Sequence, residues 1–342
     1  MARAGPYDAF LLLSFGGPEG KDDVVPFLER VLRGRNVPVE RLREVAHHYD
    51  LFGGVSPLNA QNRALIAALE AEFGRAGLGL PIYWGNRNWH PLLEDTLGQM
   101  ADDGVRRAVA FVTSAYSSYS GCRQYREDIE RARAAQGASA PAVDKLRSFH
   151  DHPGFVEANA EACRRAFGEL AEAERRSAAL VFTAHSIPTA MAAGSRYEAQ
   201  LRETAALVAE AVGRRDWRLA YQSRSGPPSQ PWLEPDIGAE IRALGASGVR
   251  QVVVSPIGFV SDHMEVVYDL DTEARAVAEG LGIRMVRAST AGTHPAFVAM
   301  VRELVQERVA GAPRRRLGQV PGAEDECAAD CCPGPPTAAR RP

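Results

Sequence analysis

Apolar runs of strand length alternate with longer mixed stretches of helix length along most of the chain. Residues 10–14 and 252–254 are apolar runs typical of strands that are buried on both faces of a sheet. Stretches such as residues 22–32 and 125–135 suit helices by their length and composition. This alternation predicts an α/β fold with parallel sheets that carry helices on both faces.

The second half of the chain repeats features of the first half in the same order. The matching pairs are residues 11–18 with 181–188, residues 84–87 with 221–224, and residues 100–106 with 244–250. We therefore predict two similar Rossmann-like halves, residues 6–140 and 141–312, of which the last helix packs back on the first half. Residues 313–342 are predicted to form a flexible tail that contains cysteines.

Ligands of open α/β sheets bind in the crevice at the carboxyl ends of the strands. Side chains at or just beyond the predicted strand ends belong to Phe15, Arg87, His185, Arg224 and Phe259. We expect the ligand in a cleft between the two halves, next to these residues. No glycine-rich phosphate-binding motif follows the first strand, so the sequence does not indicate a nucleotide site.

Composition narrows the class of protein. A hydrophobic share of 45% and a charged share of 24% are typical of soluble enzymes. The formal net charge of −3 argues against nucleic-acid binding, which needs clustered excess Lys and Arg. The longest apolar run near the N-terminus, residues 9–13, is too short for a signal peptide or a membrane span. A cytoplasmic location is therefore predicted.

An acidic helix follows the strand that ends at Val254. Asp262 and Glu265 have the spacing of a capping box, which predicts that Asp262 is the N-cap of this helix. Glu265, Asp269 and Glu273 recur at every fourth position, so one α-helical face would carry three carboxylates in a row. Like charges at this spacing repel each other, which suggests a function for the row. A solvated helix face, with Glu265 serving only the cap, is the structural alternative.

Seven stretches of sequence, in order over roughly residues 8–305, resemble the ferrochelatases. The most similar members are the coproporphyrin III ferrochelatases of actinobacteria and other Gram-positive bacteria. The stretches are LLLSFGGPEG, FGGVSPLNAQNR, YWGNRNWHPLLEDTL, TSAYSSYSGCRQYREDI, FTAHSIPTAM, YQSRSGPPSQPWLEPDI and GFVSDHMEVVYDLD. The resemblance implies two Rossmann-like domains and a lyase of haem biosynthesis that inserts Fe²⁺ into a porphyrin held in the cleft.

The resemblance also implies roles for single residues. His185 matches the invariant histidine of the family, and Glu265 matches the glutamate that faces it across the macrocycle. Metal insertion removes two pyrrole protons and strips water from iron, and an imidazole or a carboxylate can serve either task. The sequence leaves open which of the two accepts protons and which handles iron. Asp269 and Glu273 are expected to form a path for protons or metal. A core histidine at a strand end is the structural alternative for His185.

Porphyrin contacts in the family match Ser56 and Tyr125 of this chain. Some relatives have a tyrosine in the first loop that ligates the product iron, but Phe15 at this position has no ligating atom. We expect Phe15 to pack against the face of the macrocycle. Porphyrin carboxylates need cationic partners. The candidates are Arg33, Arg35, Arg87 and Arg123, each with a surface salt bridge as the structural alternative.

The predicted tail is rich in Pro, Gly, Ala and Arg, a composition typical of disorder. Its three thiols belong to Cys327, Cys331 and Cys332. They are one short of the four ligands of a 2Fe–2S cluster or a zinc ion. The resemblance implies a 2Fe–2S cluster with one internal cysteine, and Cys163 is the expected fourth ligand. Ordinary packing of Cys163 in an apolar helix stripe is the alternative, and Cys122 is expected to be a passive small residue.

Three other functions stay open on the sequence alone. A protoporphyrin IX ferrochelatase and a cobalt chelatase of the same superfamily would share His185 and Glu265. A haem-binding or haem-delivery protein would need an axial ligand but would have no use for Glu265 opposite it. A monomer is expected that binds a porphyrin, spans no membrane and hands its product to other proteins of the haem pathway.

Overall fold

The computed structural model describes residues 6–33, 39–227, 229–322, 325 and 327–334. Within these residues the strands form two parallel four-stranded sheets. The first has the order β2-β1-β3-β4, with β1 Ala9–Ser14, β2 Ile82–Asn86, β3 Arg107–Val112 and β4 Ala142–Lys145. The second has the order β6-β5-β7-β8, with β5 Ala179–His185, β6 Trp217–Gln222, β7 Gln251–Ser255 and β8 Arg284–Arg287. Both sheets thus share one strand order, and the predicted pair of Rossmann-like halves is confirmed.

Helices cover both sheets. In the first half they are α1 Lys21–Val31, α2 Val39–Asp50, α3 Leu58–Ala76, α4 Leu93–Asp102 and α5 Gln124–Gln136. In the second half they are α6 Pro153–Gly168, α7 Glu172–Ser177, α8 Thr189–Ala193, α9 Tyr197–Ala211, α10 Ile237–Ala246, α11 Met264–Tyr268, α12 Arg275–Gly280 and α13 Pro295–Ala310. Two π-helical segments, Tyr119–Arg123 and Asp269–Ala274, precede α5 and α12, and a 3₁₀ turn spans Gly137–Ser139.

The central strand of each sheet is buried on both faces because its side chains are apolar on both. In β1, Phe10 and Leu12 pack in a cluster with residues of α3, whereas Leu11 and Leu13 pack in a separate cluster with residues of α4. The cluster that contains Phe10 also contains Phe182 of β5, so the largest apolar core runs through both halves. The two halves therefore do not have fully separate cores.

The boundary between the halves lies later than the sequence predicted. Strand β4 pairs with β3 in parallel, so the first sheet includes residues 142–145, which the prediction assigned to the second half. The last helix, α13, packs against both α6 and α3, and Arg302 on α13 pairs with Glu72 on α3 at 2.7 Å. The last helix therefore contacts both halves.

The tail is ordered where the structure describes it, which contradicts the disorder expected from its composition. Its main chain is held by Asp151 and Glu203 of the second half. The Leu317 amide donates to the Asp151 carbonyl at 3.0 Å, and the Val320 amide donates to Glu203 Oε1 at 2.9 Å. The remainder of the predicted tail lies outside the described residues. In the described part of the chain, no helix combines the length and the hydropathy required to span a membrane.

Candidate active site

His185 and Glu265 face each other at the carboxyl end of the second sheet. His185 is the last residue of β5, and Glu265 lies in the first turn of α11. The distance from His185 Nε2 to Glu265 Oε1 is 3.5 Å, and the two side chains are 31% and 47% exposed. The other ring nitrogen, Nδ1, contacts the Ser186 carbonyl oxygen. With Nδ1–H donating to this carbonyl, Nε2 is the nitrogen that faces Glu265 and gains or loses the titrating proton.

The pair changes the proton affinity of both groups. Burial lowers the pKa of His185, but the charge of Glu265, the Ser186 carbonyl and the charge of Asp269 together raise it above its ordinary value. Burial raises the pKa of Glu265, but the charges of His185 and His263 outweigh this effect and hold the pKa at about 2. Glu265 is therefore a carboxylate at neutral pH, and His185 binds a proton more tightly than an isolated histidine does.

The helix that carries Glu265 begins one residue later than predicted and has a different cap. His263 is the N-cap, and its Nδ1 accepts a hydrogen bond from the Glu265 amide at 3.2 Å. The carboxylate of Asp262, the predicted cap, instead pairs with Arg287 on β8 at 3.2 Å. The capping-box prediction is therefore wrong, because a guanidinium from a distant strand takes the Asp262 carboxylate.

A π-helical segment interrupts the predicted row of carboxylates. Asp269–Ala274 follows α11 directly, and its i→i+5 hydrogen bonds widen the turn. Glu273 therefore does not continue a straight α-helical row from Glu265, which the sequence predicted. Asp269 accepts a hydrogen bond from the Ser223 hydroxyl. Burial, together with the charges of Glu265 and Glu273, raises the pKa of Asp269 to about 7.

A cavity of about 260 Å³ lies beside these carboxylates. Asp269 and Glu273 line it from the π-helical segment, and Asp236 and Arg242 line it from the other side. The volume is several times the roughly 30 Å³ that one water molecule occupies in the liquid. Water or a hydrated cation can therefore reach the acidic side chains behind the catalytic pair.

Two residues next to the pair were missed by the sequence reasoning. His263 lies with Nδ1 3.8 Å from Glu265 Oε2, and burial and the charge of His185 lower its pKa. Gln222, at the end of β6, donates from Nε2 to the Glu265 carbonyl at 2.6 Å, while its own carbonyl accepts from the Ser186 amide at 2.8 Å. Gln222 thus holds the backbone of both sides of the site. Its position at a strand end was a usable signal, as was the place of His263 two residues before Glu265.

Two predicted substrate contacts lie on the first half. Phe15 follows β1 and is 39% exposed, with its ring packed edge-on against Phe27 at 6.3 Å. Ser56 is buried, and its Oγ accepts a hydrogen bond from the Leu58 amide at 3.4 Å. A Cβ added at Gly17 would lie 2.6 Å from Ser56 Cβ, so these two loops are in close contact. Phe15 offers an apolar face to the cleft, whereas Ser56 supports the first loop.

Arg87 and Tyr125 form a buried pair. Arg87 Nε lies 2.6 Å from Asp128 Oδ2, and both side chains are 7% exposed. The guanidinium lies over the Tyr125 ring at 4.5 Å. Asp128 also pairs with Arg131 at 2.5 Å, so Arg87 shares this carboxylate with a second guanidinium. Among the other predicted cations, Arg123 pairs with Glu127 at 2.9 Å, Arg33 is exposed, and Arg35 lies outside the described residues.

The tail cysteines meet Cys122, which was expected to be passive. The thiol of Cys122 forms a hydrogen bond with Cys327, and this bond and the charge of Lys145 lower its pKa although burial raises it. Cys331 Sγ and Cys332 Sγ lie 3.5 Å apart, and Cys332 is influenced by the charge of Cys122. These contacts bring one thiol of the first half and three of the tail together in one site, which we call the cysteine site.

Cys163 does not belong to the cysteine site. It is fully buried in α6, within the apolar core, and its thiol contacts Ser255 of β7. Burial raises the pKa of Cys163 to about 11, and the groups next to this thiol that affect its pKa are Ser255 and Arg164, not another cysteine. The structure thus contradicts the prediction of Cys163 as the fourth ligand and supports its structural alternative, packing in an apolar stripe.

Comparison with known proteins gives strong matches over nearly the whole chain. A family model described as ferrochelatase matches residues 7–309. A ferrochelatase from Rhodopirellula baltica is 55% identical over 348 residues, which cover 100% of this chain and 99% of that protein. A coproporphyrin III ferrochelatase from Streptomyces coelicolor is 53% identical and covers 96% of this chain and 94% of its own length. One from Nocardia farcinica is 54% identical, with 95% and 96% covered.

Solved structures with the same fold have much lower sequence identity. SirB from Bacillus subtilis with Fe³⁺ superimposes with a TM-score of 0.54 at 15% identity, over 88% of this chain and 96% of that chain. The sirohydrochlorin chelatase SirB from Bacillus subtilis subspecies spizizenii, in complex with cobalt, gives a TM-score of 0.51 at 13% identity, over 89% and 95% of the two chains. At these identities the likeness concerns the fold alone.

Proposed function

Because the chain belongs to the ferrochelatase family, we propose that it inserts Fe²⁺ into coproporphyrin III to give Fe-coproporphyrin III in haem biosynthesis. The geometric observation that carries the proposal is the facing pair of His185 and Glu265, with 3.5 Å between Nε2 and Oε1. Both side chains are partly exposed at the carboxyl end of β5, where parallel sheets bind ligands. The names of the relatives from Streptomyces coelicolor and Nocardia farcinica support coproporphyrin III as the substrate.

Insertion exchanges two pyrrole protons for one metal ion, so the site needs a proton acceptor and a group that holds iron. His185 suits the first task, because its pKa is raised and because the contact of Nδ1 with the Ser186 carbonyl leaves Nε2 as the nitrogen that takes up the proton. Glu265 suits the second task, because its pKa of about 2 leaves the carboxylate charged at neutral pH, and carboxylates ligate Fe²⁺ in non-haem sites. We therefore assign the proton to His185 and the iron contact to Glu265.

Protons must then leave the site. Asp269, with a pKa of about 7, can bind and release a proton near neutral pH. It lies close enough to His185 for its charge to raise the pKa of that imidazole, and it lines the cavity that Glu273 also lines. We propose that protons pass from His185 by way of Asp269 to water in this cavity.

The porphyrin lies against the first half in this proposal. The exposed ring of Phe15 packs on the macrocycle, and the exposed Arg33 is the proposed partner of a porphyrin carboxylate. Arg87 is assigned a structural role instead, because its side chain is buried against Asp128 and the Tyr125 ring. Hydrogen bonds from Ser56 and Tyr125 to the substrate remain predictions.

Metal insertion with two porphyrins tests the proposed substrate. Purified enzyme and Fe²⁺ are mixed with coproporphyrin III or with protoporphyrin IX without oxygen, and insertion is followed by visible absorbance. We expect a higher kcat/KM with coproporphyrin III, and a preference for protoporphyrin IX would contradict the proposal. His185→Ala should abolish insertion while coproporphyrin still quenches protein fluorescence on binding. Turnover near that of the wild type in this variant would overturn the catalytic assignment.

We further propose that the cysteine site holds a 2Fe–2S cluster through Cys122, Cys327, Cys331 and Cys332. The donor set fits, because four thiols from two parts of the chain meet beside a cation, Lys145, that favours the thiolate form. Four thiolates are the ligands of such a cluster, which supplies electron-transfer chemistry when bound. Metal insertion needs no electron transfer, so we assign the cluster a structural role. Its thiol ligands tie the tail to the first half.

Matched cysteine variants test the cluster. Protein purified without oxygen should be brown and contain about two irons and two sulfides per chain. Cys122→Ser should remove the colour and the iron, whereas Cys163→Ser should retain both. Loss of iron in Cys163→Ser with retention in Cys122→Ser would reverse the assignment. Colourless protein with bound zinc would keep the ligands and overturn the cluster.

The cellular setting of the enzyme stays a prediction from the sequence. We propose that it acts in the cytoplasm as a monomer and passes its iron porphyrin to another protein of the haem pathway. Size-exclusion chromatography with light scattering measures the first property, and a mass twice that of the chain would contradict it.

A further inference from the structure

The backbone of the catalytic histidine is held by a side chain outside the site. Tyr197 is the first residue of α9 and is 6% exposed. Its hydroxyl donates to the main-chain carbonyl of His185 at 2.9 Å. Because Tyr197 is buried and its hydroxyl bonds to the main chain of His185, its contact with the site passes through the His185 backbone.

The backbone at His185 decides how the imidazole is presented. Nδ1 of His185 contacts the Ser186 carbonyl, one residue along the chain. This contact fixes the ring tautomer with the proton on Nδ1 and leaves Nε2 to accept. The Ser186 amide donates in turn to the Gln222 carbonyl at 2.8 Å. The peptide group between His185 and Ser186 is therefore held on both sides. Its carbonyl accepts from Tyr197, and its amide donates to Gln222.

The first turn of α9 is itself held by the tail. The Arg196 guanidinium donates to the carbonyls of Pro321 and Gly322 at 3.1 and 3.4 Å. Gln200, fully buried one turn later, donates from Nε2 to the Pro321 carbonyl at 3.1 Å. Tyr197 lies between these two attachments. Its position thus depends on the tail segment that leads to the cysteine site.

Gln200 also joins α9 to the first half. Its Nε2 donates to Ser117 Oγ at 3.1 Å, and its Oε1 accepts from the Ser117 amide at 2.7 Å. Ser117 lies just before the π-helical segment that carries Cys122. On the other side, a Cβ added at Gly194 would lie 3.0 Å from Pro333 Cγ, next to Cys332. The segment from Gly194 to Gln200, which contains Tyr197, is thus packed at both ends against residues that lie close in sequence to ligands of the cysteine site.

We infer that Tyr197 is a positioning residue for His185 and that the docked tail holds Tyr197 in place. The inference rests on the proposed role of His185 as the proton acceptor in metal insertion. Tyr197 contributes no group to the reaction: it keeps the carbonyl of His185 fixed, so that Nδ1 stays on Ser186 and Nε2 stays directed at the cleft. Release of the tail from Arg196 loosens the same contact from a distance.

Tyr197→Phe tests the inference, because it removes one hydroxyl and keeps the ring. We expect kcat for Fe²⁺ insertion to fall by about tenfold to a hundredfold, the usual cost of a misplaced catalytic group. The KM for the porphyrin should stay unchanged, because Tyr197 is buried and bonds to the main chain of His185. The Ser186 carbonyl raises the pKa of His185, so its loosening should move the acidic limb of kcat/KM to lower pH.

Tyr116→Phe is the matched control. Tyr116 is also buried, and its hydroxyl donates to a main-chain carbonyl, that of Ile257, at the same distance of 2.9 Å. The two variants lose the same kind of hydrogen bond and should have similar urea midpoints. Only Tyr197→Phe should change kcat and the pH profile. Equal losses of kcat in both variants would reduce Tyr197 to a structural role and overturn the inference.

A measurement without turnover separates this inference from the proposed function. Histidines labelled with nitrogen-15 report their tautomers by NMR, and the His185 signals are identified by their absence in His185→Ala. We expect the tautomer protonated on Nδ1 in the wild type and a mixture in Tyr197→Phe. If Tyr197→Phe had the wild-type spectrum and the wild-type kcat, the positioning role would be overturned. The proposed function would still be upheld by an inactive His185→Ala. An active His185→Ala would overturn the function itself.

The part played by the tail is tested on the same helix. Arg196→Ala removes the contacts with Pro321 and Gly322 and should lower kcat in the same direction as Tyr197→Phe, by less. Arg202→Ala removes an exposed arginine that pairs with Glu198 of α9, and it should leave kcat unchanged. Equal kcat for Arg196→Ala and the wild type would overturn the coupling to the tail.

Discussion

The catalytic pair and the cysteine site are assembled in opposite ways. His185 and Glu265 both come from the second half, at the end of β5 and the start of the following acidic helix. The cysteine site joins Cys122 of the first half to thiols of the tail. The first site therefore follows from the local fold of one sheet, whereas the second exists only when distant parts of the chain have met. A substitution in the catalytic pair should therefore change metal insertion, whereas a substitution in the cysteine site should change how the tail is held on the first half.

The two sites also differ in the balance of charge. His185 and Glu265 have opposite charges when both are ionised, so each stabilises the charged form of the other. The thiolates of the cysteine site have like charges. Burial and the contact with Cys331 raise the pKa of Cys332 to about 12, whereas the hydrogen bond with Cys327 and the charge of Lys145 lower the pKa of Cys122. The catalytic pair is thus stable without a metal, whereas the cysteine site needs a cation to keep four thiolates together.

Of the three substitutions that test this comparison between the two sites, Glu265→Gln should have the largest effect. The change keeps the size of the side chain but removes its charge, so insertion should slow by about a hundredfold or more. The free energy of unfolding should change by at most about 1 kcal/mol, because the pair is partly exposed and Glu265 is not the helix cap. Insertion rates and urea titrations measure the two effects. Glu279→Gln, an exposed change on α12, is the control, and an active Glu265→Gln would make Glu265 structural.

Asp269→Asn should change the pH dependence of stability. The folded protein holds the pKa of Asp269 at about 7, well above its unfolded value near ~3.9, so it binds more protons than the unfolded chain between these values. Stability should therefore fall by about 3 kcal/mol as the pH rises from about 4 to about 7, and this loss should disappear in the variant. Urea unfolding at several pH values checks it. Asp102→Asn, an exposed change on α4, should keep the wild-type slope.

Lys145→Met should have the smallest effect and probes the cysteine site alone. Loss of the ammonium should raise the pKa of Cys122 by about one unit in reduced, metal-free protein. The ultraviolet absorbance of the thiolate, titrated with pH, measures the shift. Lys21→Met, at an exposed position of α1, should leave the titration unchanged. A shift in the pH profile of metal insertion by Lys145→Met would show that the two sites are not separate electrostatically.

The catalytic pair was predictable because its causes are local. A β-branched run ends at Val254, a second apolar run ends just before His185, and parallel strands present their ends on one side. The predictions that were wrong depend on features that the local sequence does not show. Asp262 has the sequence signature of a cap, but Arg287 of another strand takes its carboxylate. The π-helical segment after α11 leaves no mark in the spacing of Glu265, Asp269 and Glu273.

The choice between the two internal cysteines illustrates the same limit. The apolar stripe around Cys163 is visible in the sequence and correctly favours packing in the core. The path of the tail is not visible, because it depends on single contacts with distant residues. Arg316 pairs with Asp151 at 2.7 Å, and Arg126 donates to the Ala328 carbonyl at 3.2 Å. A composition typical of disorder is thus overridden by docking on the folded protein.

The position of α13 has a consequence for the synthesis of the protein. This last helix packs on α3, and Phe297 and Met300 complete a core that already includes Phe10 of the first strand. The first half cannot bury all of its apolar surface until α13 has left the ribosome, because some of the covering side chains belong to that helix. Folding should therefore be a single late event with many long-range contacts, and not the stepwise folding of two domains. Nascent chains that stop before α13 should be bound by chaperones and remain sensitive to protease.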